Sequence, residues 1–341
     1  MRDKRPRSRE RPGPKPKPVL LIHDASIDEY IAFLLLTTMP EVKLLASVLV
    51  NADCVGSSAM QVGWRIQEFI GRPDIALKLS RARGVNPFPW SYREDCLRLG
   101  RVAALQQIGP NPNWPPYPDG DIWLKKFFLG RRGKITILCL GPLTPLATLL
   151  SEMPSAALKI ERLFWMGGAI NVCGNLDPDS IPPELANPYA EWNVFWDPFA
   201  AESVFSNPKF PITLFPLDLT NQAKIDGTFK NQLAVYGKAS RLADLALQGY
   251  RLVSGQPYYT MWDVAAAAYL ARPKLYADPR RMKLKVVTEG DRQGAIIQDS
   301  RGREVDVVLK FADPKGLDHF YAYVLQQLRG VNPERRHSMR A

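Results

Sequence analysis

The sequence predicts an α/β fold, an open and mainly parallel sheet flanked by helices, and three observations carry that expectation. Short apolar runs alternate with helical periodicities along most of the 341 residues, as strand-helix-strand units require. The strand-like runs end in polar or glycine residues, where a buried strand opens to the next turn. Beyond about Met282 the pattern changes to two closely spaced β-rich runs, the pattern of an edge hairpin.

Taken in order, Val19 to Ile22 reads as a buried strand and Ile27 to Thr38 as the helix that follows it. Lys43 to Val50 is a second strand, and Gly56 to Gly71 a second helix. Asp74 to Leu79 and Lys134 to Leu140 continue the series, the latter passing through Gly141 and Pro142 into a helix from Thr144. Leu163 to Met166 and Ile212 to Leu217 are further apolar strands. KLKVVTEG and VDVVLKF form the expected edge hairpin, and Leu317 to Leu328 a closing helix. With no internal repeat and no interdomain linker, residues 19–330 read as one domain.

With 46% apolar residues the chain can bury a large core. No run of 18 apolar residues occurs, and nothing apolar follows the basic N-terminus until Val19, so neither a membrane span nor a signal peptide is expected and a cytoplasmic address is the default. Cys54, Cys96, Cys139 and Cys173 lie far apart, which suggests reduced thiols rather than a zinc site or disulfide framework. The net charge of +11 is concentrated at the ends: residues 1–18 carry +6 and 331–341 carry +2. Both read as disordered basic tails, the first rich in proline. They favour solubility, with weak attraction to nucleic acid or to an anionic membrane as the sharper alternative for the first; no membrane partner is expected of the body.

Three groups of residues stand out. His23-Asp24-Ala25-Ser26-Ile27-Asp28-Glu29 places three carboxylates within six residues at a strand-to-helix turn. Carboxylates this close repel unless a proton or a cation relieves them, and a hard divalent ion such as calcium suits an all-oxygen set. The plain alternative is helix capping by Asp28 and Glu29. The second group, Tyr258-Tyr259 and Met261-Trp262-Asp263, sets aromatic rings beside an acid at the start of an apolar helix, as a platform for a flat ligand would. In the third, Met166-Gly167-Gly168, Gly174-Asn175 and Glu191-Trp192-Asn193 bring amides and a carboxylate to a strand end, in keeping with sugar hydroxyls.

In this order, IHDASIDEYIAFLLL, VLVNADCVGSSA, TILCLGPLTPLATLL, IERLFWMGGAINVCGN, YAEWNVFWDPFAAESVF, FPLDLT and YYTMWDVAAAAYL resemble the signature segments of the inosine-uridine nucleoside hydrolase family, over about residues 19–275. Trp262-Asp263 together with Ala52-Asp53-Cys54 resembles its purine-specific, inosine-adenosine-guanosine branch. The resemblance implies a Rossmann-like sheet of the nucleoside hydrolase fold, a homodimer or homotetramer, and a nucleoside substrate. It implies that Asp24 binds calcium and accepts a proton from the metal-bound water, with Glu29, the Thr144 carbonyl and Asp263 as the other ligands. Asp28, Met166, Asn175, Glu191 and Asn193 match ribose-binding positions. Asp53 and Trp262 match base-binding ones, and a second stacking ring is expected from Trp90 or Tyr92.

Departures from the pattern bear on how such a site works. The usual opening is D-x-D-x-x-x-D-D, whereas Ile22 stands at its first aspartate and Glu29, one methylene longer, at its last. Pro145 follows the GPLT threonine where asparagine is common, and a polar insert runs from Asp177 to Pro188. Two rival readings follow: a homologue that binds nucleosides with weakened or no turnover, and a nucleic-acid-associated protein acting through its tails. A transferase using phosphate is disfavoured, since no Gly-rich phosphate loop accompanies the pocket.

Overall fold

A computed structural model of the chain describes residues 15–330 apart from 91, 112–118, 177–181, 256–258 and 314. Tyr258, most of the first tail, all of residues 331–341 and the first part of the polar insert therefore lie outside the described residues. The strands are β1 (Lys17–His23), β2 (Val42–Leu49), β3 (Ala76–Leu79), β4 (Ile135–Leu140), β5 (Ile160–Met166), β6 (Ile212–Phe215), β7 (Arg280–Val286), β8 (Ile296–Gln298) and β9 (Arg303–Val307). The helices of the N-terminal half are α1 (Ile27–Thr38), α2 (Gly56–Ile70), α3 (Asp95–Leu99), α4 (Ala103–Gln106), α5 (Gly120–Gly130) and α6 (Thr144–Glu152). Those of the second half are α7 (Trp192–Phe195), α8 (Pro198–Phe205), α9 (Leu217–Thr220), α10 (Gly227–Gly237), α11 (Arg241–Leu252), α12 (Trp262–Tyr269) and α13 (Gly316–Arg329).

The nine strands among the described residues join one sheet in the order β3-β2-β1-β4-β5-β6-β9-β7-β8. Strands β1 to β6 and β9 run parallel, and β7 is antiparallel to both neighbours. The sheet is buried on both faces, so its strands are almost uniformly apolar rather than alternating. Val19 and Leu21 of β1 face the core formed with α1, α2, α11, α12 and α13, while Leu20 and Ile22 face the other, with α5, α6 and α8. Ile22, at the position where an aspartate is usual, is thus packed into an apolar layer with Cys139 and Leu143.

Most boundaries fall within a few residues of expectation, and the differences have physical causes. The strand β1 begins two residues earlier, because Lys17 pairs with Val42 at the sheet's end. The strand β6 stops at Phe215, since Pro216 has no N–H to continue the ladder and Leu217 opens α9. The expected edge hairpin needs correction. β7 and β9 do pair antiparallel, Met282 opposite Val305, but β9 also pairs parallel to β6 and a short β8 flanks β7. The pair therefore continues the main sheet instead of capping its edge. Among the described residues no helix is long and apolar enough to cross a membrane.

Candidate active site

The turn after β1 is fixed from two neighbouring strands. Val50 N donates to His23 O at 2.8 Å and Cys54 N to Asp24 O at 3.1 Å, while Asp53 N donates to Asp24 Oδ2 at 3.2 Å. From the β4 side, Gly141 comes so close that a Cβ there would lie 2.9 Å from Asp24 Oδ1. The Gly141 carbonyl is itself held by Trp165 Nε1 at 3.1 Å. Between Asp24 and Ser26, Ala25 has φ +75°, the one non-glycine residue in the left-handed region among those described. Such strain persists only where surrounding contacts fix the turn. His23 stays out of the chemistry: its Nε2 bonds to Ser47 Oγ at 2.8 Å, and burial lowers its pKa to about 3, so the ring is neutral.

Asp28 behaves differently from its neighbours. Its Oδ1 accepts from Tyr250 at 2.7 Å, and its Oδ2 from the backbone N–H groups of Asp263 at 2.7 Å and Val264 at 3.1 Å. The expected capping role is real but belongs to another helix: Asp28 caps α12, not its own α1. In doing so it seats Asp263. Burial pushes Asp28 up to about 6, with these donors acting against the shift.

Asp24, Glu29, Asp53 and Asp263 form a buried acidic cluster from three separate stretches of chain. Asp24 is raised to about 6, first by desolvation. Glu29 is held well above the usual carboxylate range by burial and by the charges of Asp263, Asp24 and Asp53, and its carboxyl hydrogen-bonds to that of Asp24. Asp263 and Asp53 are raised for the same reasons. Asp263 Oδ1 and Asp53 Oδ1 are buried with no hydrogen-bond partner among the described residues. An orphaned carboxylate oxygen is costly in such surroundings. A proton or a hard cation would relieve it.

The sugar-side residues also come together. Glu191 accepts from Gly168 N and Asn193 N, both at 3.0 Å, and burial raises it to about 7. Asn193 Nδ2 donates to Met166 O at 3.2 Å, and Asn175 Oδ1 accepts from Trp192 N at 3.2 Å. The charge of Glu191 is felt at Asp263, which ties this group to the acidic cluster. Thr144 opens α6 with its hydroxyl on Asp197 at 2.8 Å, and its carbonyl takes the Thr148 hydroxyl at 2.9 Å.

The aromatic candidates separate. Trp262 is anchored through Nε1 to Asn221 Oδ1 at 3.0 Å and packs edge-on against Tyr259. Tyr259 is less a platform than a clamp, since its hydroxyl accepts from Asp28 N at 3.2 Å and lies 3.4 Å from Ser26 Oγ. Tyr92 sits among Phe88 and Trp192, with ring centroids 6.1 Å from each, whereas Trp90 is 73% exposed. The sequence reading missed Tyr250, Ser26, Asn51 and Arg93, all within this neighbourhood. None carried a local signal, because their partners are distant in sequence.

As they stand, no three His, Cys, Asp or Glu side chains among the described residues are grouped as a metal cage. The donor chemistry nonetheless fits a hard cation: oxygens only, mutually repelling, two of them orphaned. A groove of about 670 Å³ lies elsewhere, between α8 and the β7–β9 edge. Its lining includes Arg303 and Gly302, at the start of β9 and hence at the opposite end of the sheet from the acidic cluster.

A model of the inosine-uridine preferring nucleoside hydrolase family matches residues 19–318. The chain belongs to that family. It is similar to the inosine-uridine preferring nucleoside hydrolase of Bacillus anthracis, with 31% identity and a TM-score of 0.83 over 92% of this chain and all of that one. The purine-preferring ribonucleoside hydrolase from Gardnerella vaginalis shares the fold, with 18% identity and a TM-score of 0.72 over 92% of this chain and 99% of that one. The non-specific ribonucleoside hydrolase RihC of Salmonella paratyphi A is 33% identical over 170 residues, 50% of this chain and 52% of the relative. The chain thus spans about half the length of the curated relatives it matches. The acidic turn follows the C-terminal end of β1 in the parallel part of the sheet, the end at which open α/β sheets bind ligands.

Proposed function

We propose that this chain hydrolyses the N-glycosidic bond of purine ribonucleosides, releasing base and ribose, with calcium at the acidic cluster. The observation that carries the reading is the convergence of Asp24, Glu29, Asp53 and Asp263, with two buried oxygens that find no hydrogen-bond partner among the described residues. Family membership supports hydrolysis of ribonucleosides, and the segments Trp262-Asp263 and Ala52-Asp53-Cys54 support purines. Calcium held by Asp24, Glu29, Asp263 and the Thr144 carbonyl would supply a positioned, acidified water.

Asp24 takes a proton from the attacking water as general base. Asp28 holds α12 in place and, with Met166, Asn175, Glu191 and Asn193, lines the ribose site. Buried polar groups left unpaired by a missing hydroxyl would disfavour deoxyribose. The base lies against Trp262, with Asp53 at its edge and Trp90 or Tyr92 on its other face. The reading includes a cytoplasmic homodimer or homotetramer built from the 19–330 domain.

The test incubates purified protein with inosine, guanosine and uridine, with calcium or with a chelator, and measures reducing sugar. Ribose should appear with calcium and vanish with the chelator, and Asp24→Asn should lower kcat on the order of 10²- to 10⁴-fold. Saturable nucleoside binding without sugar release would refute hydrolysis. Equal turnover of uridine and inosine would refute the purine preference.

A further inference from the structure

The thiols of Cys54 and Cys96 have no part in the chemistry above, yet they touch each other. Cys54 lies in the β2–α2 connection and Cys96 in the first turn of α3, 42 positions further along the chain. Both are buried. Cys96 N donates to Cys54 Sγ at 3.2 Å, and the two thiols are hydrogen-bonded to one another. Around them, Arg93 O lies 3.8 Å and Val55 O 4.0 Å from Cys96 Sγ. The other two cysteines stand apart from this pair: Cys139 donates to Gly141 O at 3.1 Å, and Cys173 is exposed.

The backbone that carries Cys54 also holds Asp24. Cys54 N donates to Asp24 O at 3.1 Å, and Asp53 N donates to Asp24 Oδ2 at 3.2 Å. Val55 N, donating to Arg93 O at 3.4 Å, fastens the same connection to the turn before α3. Two thiols in hydrogen-bond contact are well short of bonding, whereas the sulfurs of a disulfide are about 2.05 Å apart. Joining these two draws Cys54 toward α3, and the hydrogen bonds that Cys54 and Asp53 make to Asp24 must shift with it.

We propose that Cys54 and Cys96 are a reversible oxidative modification site, closed to a disulfide by a peroxide, and that closure switches the enzyme off by moving the backbone that holds Asp24. The loss of activity rests on the reading of Asp24 as general base; formation of the disulfide does not. The hydrogen bond from Cys54 lowers the Cys96 thiol, while burial holds that of Cys54 well above its ordinary value, so Cys96 supplies the thiolate. Its sulfur attacks one peroxide oxygen, the O–O bond breaks, and the departing hydroxide takes up the proton that Cys96 released. The Cys54 sulfur then attacks the sulfenic acid on Cys96. The S–S bond forms, the S–O bond breaks, and a second water leaves with the Cys54 proton. Two thiols have lost two electrons and one peroxide has gained them. Since both sulfurs are buried, the oxidant enters by local opening of the five-residue α3 and the turn before it.

The experiment treats the full-length protein with hydrogen peroxide, unfolds it, alkylates the remaining thiols and maps the peptides by mass. A linked Cys54–Cys96 peptide should appear, and kcat for inosine should fall on the order of 10- to 100-fold. Dithiothreitol should restore the activity, which it cannot do for oxidised methionine. Cys96→Ser should keep its basal activity and retain it after peroxide. The exposed Cys173 reports the dose: if its thiol is consumed while Cys54 and Cys96 still alkylate, the pair is no modification site and the proposal falls. A disulfide formed with activity unchanged overturns it too, as does a Cys96→Ser protein that peroxide inactivates as fully and as reversibly. Melting curves with and without calcium read the same event without turnover. The disulfide should remove most of the calcium-dependent rise, and an undiminished rise overturns the link to Asp24. Reduced protein that releases no ribose overturns the hydrolase reading alone, leaving the peptide masses and melting curves to decide the pair.

Discussion

At Gly141 a single methyl group decides where Asp24 can sit. The Trp165 indole fixes the Gly141 carbonyl, and a Cβ would lie 2.9 Å from Asp24 Oδ1 and 3.1 Å from Asp24 N. Neither neighbour yields easily, since the Asp24 backbone is bonded to Cys54 and its side chain to Asp53 N. Gly141→Ala should therefore displace the carboxylate by a few tenths of an ångström. The expected result is a fall in kcat of at least about tenfold, because small misplacements of a reacting group are expensive, with the far-ultraviolet circular dichroism unchanged. Full activity in this variant would show that Asp24 does not need its present position. The acids were readable from sequence because three carboxylates in six residues demand an explanation. Gly141 was readable only as a turn, and Asn51 and Arg93 not at all, since what defines them is contact across 42 residues.

Asp28 shows how one element positions another. Helix α12 begins where two of its unpaired N–H groups meet the Asp28 carboxylate, and α1 and α12 pack side by side across the same core. In Asp28→Asn the amide presents an NH₂ to donors that need an acceptor, or frees the Tyr250 hydroxyl. Either way a buried donor loses its partner, at roughly 1–3 kcal/mol or more for a charged acceptor. Thermal unfolding should shift down by several degrees, and activity should fall with it because Asp263 rides on the same helix. An unchanged melting temperature would show that α12 does not depend on this cap. Helix α1 and the apolar strands β1 and β4 were legible because each buries a nearly continuous stretch of its own residues, and the closing helix because Phe320, Val324 and Leu328 recur at helical spacing on its buried face. The three-residue β8 and the shared edge of β9 were not. Their pairing is set by β7 and β6, far away in the chain, rather than by local pattern.

Across the whole molecule the acidic cluster sets how stability responds to pH and to calcium. Asp24 and Asp28 are raised to about 6 and Glu191 to about 7, with Glu29, Asp53 and Asp263 raised also. In the unfolded chain these groups return to roughly 4. Between those values the folded, chelator-treated protein binds more protons than the unfolded one, so its stability must fall as pH rises through about 6 to 7. His23, lowered to about 3, works in the opposite direction, but it is one group against six. Calcium would replace those protons, so it should stabilise more at high pH, where no proton need be expelled. Melting curves at pH 5.5 and 8 decide the matter. With chelator the melting temperature should be higher at pH 5.5, and the increase on adding calcium should be larger at pH 8. A chelated protein that grows more stable toward pH 8 would mean that these carboxyls do not share one desolvated site. A calcium increment equal at both values would mean that the ion binds somewhere other than at these acids.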